Sequence, residues 1–139
     1  MKRAFMIFLS MLLTVSLCCG LSSATSRASE YISDYEANLF TGSSSGELRL
    51  DFMINVTKSC TSYGISRIRL YTEDGDFIKS ITGSKSNGLL TGSGRTYLSD
   101  YDISATSGER YYAVVTFYAS DANGSDSKTY TTNVAMAKR

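Results

Sequence analysis

The chain has no histidine, no tryptophan and no proline. Histidine is the usual general base near neutral pH and the commonest transition-metal ligand. Its absence excludes Ser–His–Asp and Cys–His catalysis within one chain and leaves a zinc ion only cysteine and carboxylates. The missing proline is unusual for a loop-rich β chain, and nothing in the sequence accounts for it. Cysteine is also scarce. Cys18 and Cys19 lie in an N-terminal apolar run, so removal of that run leaves Cys60 alone and excludes an internal disulfide. Cys60 then reads as a small buried side chain at a strand end; a reactive thiol or an intermolecular bridge is the alternative. No charge of one sign dominates, since the whole chain carries +1. Without a basic stripe, neither nucleic acid nor an anionic membrane is expected as a partner.

What the N-terminus does have is an export signal. Lys2 and Arg3 precede an apolar run from Ala4 to Leu17, and Ser22 and Ala24 occupy the −3 and −1 positions of a signal-peptidase site. The run is shorter than the ~20 residues that cross a bilayer. A signal peptide over 1–24 is therefore expected, with cleavage after Ala28 as the alternative, and 25–139 as a single secreted domain. Cys18 and Cys19 raise lipid anchorage at the cell surface as an alternative, although Leu17 is a poor neighbour for a lipidated cysteine.

The rest of the chain reads as strands. Leu48, Leu50, Phe52, Ile54 and Val56 alternate with Glu47, Arg49, Asp51, Asn55 and Thr57, the period of a half-buried strand. Tyr111, Ala113, Val115, Phe117 and Ala119 alternate with Tyr112, Val114, Thr116 and Tyr118, apolar enough for a central strand covered on much of both faces. Further strands are expected over Tyr31–Phe40, Ile65–Thr72, Phe77–Thr82, Thr96–Ile103 and Lys128–Met136. Asp74-Gly75 predicts a type I′ hairpin turn. The Gly- and Ser-rich stretch Gly83–Gly94 predicts a long flexible connection. About seven strands with turn signals every ten residues or so is the pattern of an antiparallel β-sandwich.

Gly108-Glu109-Arg110-Tyr111-Tyr112-Ala113-Val114-Val115-Thr116-Phe117 resembles a strand of fibronectin type III and related immunoglobulin-like domains. There a glycine-containing corner leads into a tyrosine and alternating β-branched residues. The resemblance implies an immunoglobulin/fibronectin type III-like sandwich in which the Tyr111 hydroxyl bonds upstream backbone. The early-strand tryptophan of that class is missing, which leaves the strand order open. Arg27-Ala28-Ser29-Glu30-Tyr31-Ile32, Tyr35, Ala37 and Gly108–Val115 are similar to a family of small secreted proteins of gut Firmicutes with no assigned function. That likeness implies a bacterial exported β-sandwich and no site.

Little chemistry emerges, and no cofactor or metal set. Gly83–Gly94 lacks the Gly-Lys-Ser/Thr ending of a phosphate loop. Asp74 with Asp76, and Asp100 with Asp102, could serve glycosidase-type acid–base chemistry, yet nothing apolar surrounds them to raise one pKa. Asp121–Asp126 looks slightly like a calcium loop but lacks the closing glutamate and equally suits a hairpin turn. Two features suit binding. Leu89 and Leu90 sit mid-loop, either tucked back on the core or waiting for a partner. Tyr97, Tyr101, Tyr112, Tyr118 and Tyr130 could form an exposed stripe, or could pack core and sheet faces. The function expected is a non-catalytic, monomeric extracellular module binding a protein or glycan. The alternatives are a secreted inhibitor or toxin-like protein acting on another exported protein, and a carboxylate-based glycan hydrolase.

Overall fold

A computed structural model describes residues 30–139; the expected signal peptide, its expected cleavage site and Arg27-Ala28-Ser29 lie outside the described residues. Nine strands follow in order: β1 (Ile32–Thr41), β2 (Glu47–Val56), β3 (Ser62–Thr72), β4 (Phe77–Thr82), β5 (Leu90–Thr91), β6 (Thr96–Ser104), β7 (Arg110–Asp121), β8 (Gly124–Thr131) and β9 (Ala135–Met136). They form two antiparallel sheets packed as a sandwich. One has three strands in the order β1-β2-β6; the other has six, a four-stranded body β4-β3-β7-β8 with the two-residue β5 also on β3 and β9 on β7. β2 and β6, and likewise β3 and β7, are neighbours whose connections pass through the opposite sheet, a Greek-key arrangement.

Alternation sets the core. Leu48, Leu50, Phe52, Ile54 and Val56 of β2 face Ile65, Ile68 and Leu70 of β3 and Tyr111, Ala113, Val115, Phe117 and Ala119 of β7, all buried. Tyr111 closes one end. Its hydroxyl accepts the Thr106 N–H at 3.0 Å and donates to Glu109 Oε2 at 3.0 Å, bonding upstream backbone in the manner of a corner tyrosine.

The structure corrects several sequence expectations. β7 is central, but among the described residues it is fully covered on one face only; Tyr112, Val114, Thr116 and Tyr118 on the other are half-buried. The β3–β4 turn is not type I′, because Gly75 alone has positive φ there and that turn would require it of Asp74 too. Instead Gly75 N–H donates to Thr72 O and Thr72 N–H to Asp76 O, a three-residue loop with glycine in the left-handed position. The last strand is broken, since one extra residue between β8 and β9 shifts their register on β7. There Thr132 Oγ1 accepts the Ala113 N–H, replacing a ladder bond with a side chain.

The Gly83–Gly94 connection is held in place at many points. A Cβ at Gly83 would fall 1.7 Å from Ile65 O, and one at Gly64 would fall 2.2 Å from Leu89 O. These glycines permit backbone to pass against backbone; they do not loosen the chain. Asn87, Tyr97 and Tyr63 side chains then bond Thr82 O, Gly88 O and Ser93 O.

Candidate binding surface

The predicted site residues scatter. Leu89 is fully buried, and Leu90 is half-buried and paired with Gly64, so neither leucine waits in solvent. The tyrosine stripe does not form either. Tyr97 and Tyr101 share the inward parity of Ile103 on β6, and Tyr130 stands opposite buried Val115; all three pack against the core. Tyr97 makes edge contacts with Phe52 and Tyr63 at ring-centroid distances of 5.6 and 6.3 Å, and Tyr130 with Tyr35 at 6.2 Å. Of the five, Tyr112 and Tyr118 alone reach the outer face of the four-stranded sheet. Six residues apart on one strand, they stand about 20 Å from each other.

Tyr112 has company that the alternation pattern did not reveal. The register places Tyr71 between Tyr112 and Phe77. Tyr71 and Tyr112 stack at 5.3 Å with planes 10° apart, and Phe77 meets Tyr71 at 5.7 Å in an edge contact. Phe77 is 56% exposed and its neighbour Ile78 44%. In the rows below, exposed Arg69 lies between Ser80 and Val114, and exposed Arg67 between Thr82 and Thr116. Tyr71 and Phe77 flank the Thr72–Asp76 turn, so hairpin pairing alone could have revealed half of this row; its junction with Tyr112 needs the strand order.

The outer face of the three-stranded sheet is different in kind. β2 and β6 set Asp51 opposite Asp100 and Met53 opposite Leu98, and β1 adds Glu36 and Asn38. Arg49 lies 3.5 Å from Asp100 and 3.1 Å from Asp102; the Asp102 hydrogen bond, then both charges, hold its guanidinium firmly protonated. A shallow depression of about 430 Å³ runs between Glu36, Asp51, Met53, Leu98 and Asp100. Asp100 and Asp102 do point the same way, but an arginine clamps them. Asp74 and Asp76 belong to the hairpin tip, beside the 3.0 Å Glu73–Arg110 ion pair.

The Asp121 carboxylate is already occupied by the protein. It accepts from Asn123 N–H at 2.8 Å and Tyr31 Oη at 3.0 Å, and it meets Lys58 at 3.5 Å; the Asn123 bond leads in holding its pKa down. Cys60 is buried, and that burial pushes its thiol pKa up, the behaviour of an inert side chain.

No protein-family model matches this chain, and no curated protein does either. A solved structure that resembles it is a family 76 glycoside hydrolase from a bovine Bacteroides thetaiotaomicron strain, at 15% identity and a TM-score of 0.47. The likeness covers 79% of this chain and 21% of that enzyme, so the chain spans about a fifth of its length. At that score the likeness says nothing about activity.

Proposed function

We propose that the mature chain is an exported, non-catalytic binding module of the immunoglobulin/fibronectin type III-like class, which engages an extracellular protein through the outer face of its four-stranded sheet. The three-plus-four strand order and the Tyr111 corner support the class. The Lys2–Ala24 leader supports export, and the likeness to small secreted Firmicutes proteins agrees with it.

The observation that carries the binding reading is the Phe77–Tyr71–Tyr112 row beside Arg67 and Arg69. Tyrosine, phenylalanine and arginine are the residues enriched where protein interfaces concentrate their energy. Tyr71 and Tyr112 are already stacked, so little side-chain entropy remains to be lost on binding.

The test is capture from the native extracellular fraction by immobilised wild-type protein, a Phe77→Ser/Tyr112→Ser double variant and Arg69→Glu. A protein retained by the wild type and lost from both variants supports the reading. Equal capture by all three overturns it. Specific binding on a glycan array that the double variant loses would transfer the face to a carbohydrate ligand.

A further inference from the structure

We infer that the free edge of β6 is a strand-addition site for an extended segment of another protein, one carrying basic side chains opposite Asp100 and Asp102 and an apolar one opposite Leu98. This surface lies on the other sheet from the aromatic row and does not depend on it.

The hydrogen-bond phase of the ladder identifies the exposed backbone. Val56 N–H donates to Arg95 O, and Ala105 N–H to Gly46 O. With the continuous β2–β6 register, the odd-numbered residues of β6 therefore bond β2, and Leu98, Asp100 and Asp102 turn their N–H and C=O groups to the free side. All three are exposed.

Exposed edges are normally guarded by bulges, charged side chains, prolines or a covering segment. Among the described residues β6 has only the charges of Asp100 and Asp102, which repel an acidic strand and not a basic one. The other three edges have guards that bar any strand. Along β1, the Asn133 amide bonds both Leu39 N–H at 2.8 Å and Leu39 O at 2.7 Å, filling the place of a strand. β8 places Asp126 and Lys128 on its core side, opposite Ala119 and Phe117. β4 is six residues long, bulged, and carries Lys79 opposite Leu70. β6 is nine residues long and unbulged, with Tyr97, Ser99, Tyr101 and Ile103 inward, and the chain has no proline at all. Among the described residues only Ser104 O, at its end, is capped, by Lys79 Nζ. Leu98 is 75% exposed, more than any other large apolar residue described.

Charge selects the occupant. Glu36, Asp51, Asp100 and Asp102 face a single guanidinium, Arg49, beside the edge. A second copy adding through its own β6 would bring like carboxylates together across the new pair, which is unfavourable. A strand with alternate lysine or arginine gains instead, and the Met53–Leu98 end of the depression takes its apolar residue.

The probe is the synthetic peptide acetyl-Thr-Lys-Thr-Lys-Thr-Leu-Thr-amide, which in antiparallel register sets its lysines opposite Asp102 and Asp100 and its leucine opposite Leu98. Amide hydrogen exchange is followed by NMR on the whole mature protein. Saturating peptide should slow exchange at Leu98, Asp100 and Asp102 by about tenfold or more, the equivalent of roughly one net hydrogen bond. A glutamate-for-lysine peptide, and one N-methylated at its second lysine, should not. Leu98→Pro removes an edge donor that β2 does not use and should abolish the protection; if it fails to fold, the N-methylated peptide makes the same test. The inference is overturned if protection fails to appear, if it appears on β4 or β8 instead, or if the glutamate peptide is as good. Protection at β6 that grows with protein concentration in the absence of peptide would make a second copy the occupant and overturn the assignment to a basic strand.

Discussion

The two outer faces share one core and differ in almost everything else. On the four-stranded sheet, tyrosine and phenylalanine rings touch one another across β4, β3 and β7, between the acidic Glu73–Asp76 turn and the arginines of the rows below. On the three-stranded sheet, carboxylates crowd around Arg49, and Leu98 with its cross-strand partner Met53 lies beside an edge whose backbone is open and whose charges are acidic. A face with preorganised side chains suits recognition by shape. A face with free backbone suits recognition by main-chain pairing, for which side chains give only register. The difference shows that a shared period of two on the inward faces of two sheets leaves their outward patterns free to diverge, since one face of each strand alone is bound to the core.

The strongest test of the shared core is truncation on each side of it. Phe52 comes from the three-stranded sheet and Phe117 from the four-stranded one, and both are buried. Phe52→Ala and Phe117→Ala should each cost about 3–5 kcal/mol, a large share of a typical stability of about 5–15 kcal/mol. Denaturant melts followed by tyrosine fluorescence and by far-ultraviolet dichroism should coincide for both variants. Separate transitions for the two probes would mean that unfolding is not all-or-none and that the core does not bind the two sheets into one cooperative unit.

The inward half of this comparison was legible in the sequence and the outward half mostly was not. Period-two alternation identified Leu48 to Val56 and Tyr111 to Ala119 as core, because burial of one face forces that period. Alternation cannot say which strands are neighbours. In the sequence Tyr97, Tyr101 and Tyr130 are therefore equivalent to Tyr112, and Tyr71 has nothing to set it apart; the register alone turns the first three inward and joins Tyr71 to Tyr112. Gly83–Gly94 misled for another reason. Glycine permits both flexibility and close approach, and only the position of Ile65 O shows that close approach applies at Gly83. The open edge of β6 was invisible, because a free edge is a property of strand order.

A smaller effect is expected at the Tyr111 corner, which joins the end of β6 to the four-stranded sheet. Tyr111→Phe leaves the Thr106 N–H and Glu109 without the buried hydroxyl and should cost about 1–3 kcal/mol. If the two faces were held in place only by apolar packing, this variant would melt like wild type.

The ends of the sandwich also make it acid-sensitive. Backbone and side-chain hydrogen bonds from Ser43 lead in holding the Glu47 pKa below its usual range, as the Asn123 N–H does for Asp121. Both groups thus bind protons more readily in the unfolded chain. Their contribution is complete above the unfolded pKa values and is lost as pH falls through the folded ones. The melting temperature should drop as pH falls from about 5 towards 2. The Glu47→Gln/Asp121→Asn variant should start lower at neutral pH and lose less on acidification. A drop as steep as that of wild type would place the acid sensitivity in other carboxylates, those of the three-stranded face included.

The smallest effect is the sharpest test of the division between core and face. Phe77→Ser and Leu98→Ser remove the most exposed large apolar side chain from each outer face, and neither leaves a buried cavity. Leu98→Ser should change stability by no more than about 0.5 kcal/mol, the usual range for surface positions; Phe77→Ser also gives up its edge contact with Tyr71 and should cost about 0.5–1.5 kcal/mol. Their binding effects should separate. Phe77→Ser should weaken capture by the aromatic face and leave basic-peptide protection at β6 intact. Leu98→Ser should weaken the peptide and leave capture intact, since about 10 Å of core lies between the two sheets. Such reciprocal behaviour would require two independent surfaces. If either substitution impaired both activities at unchanged stability, the two outer faces would have to act as one site, and the contrast between them would fail.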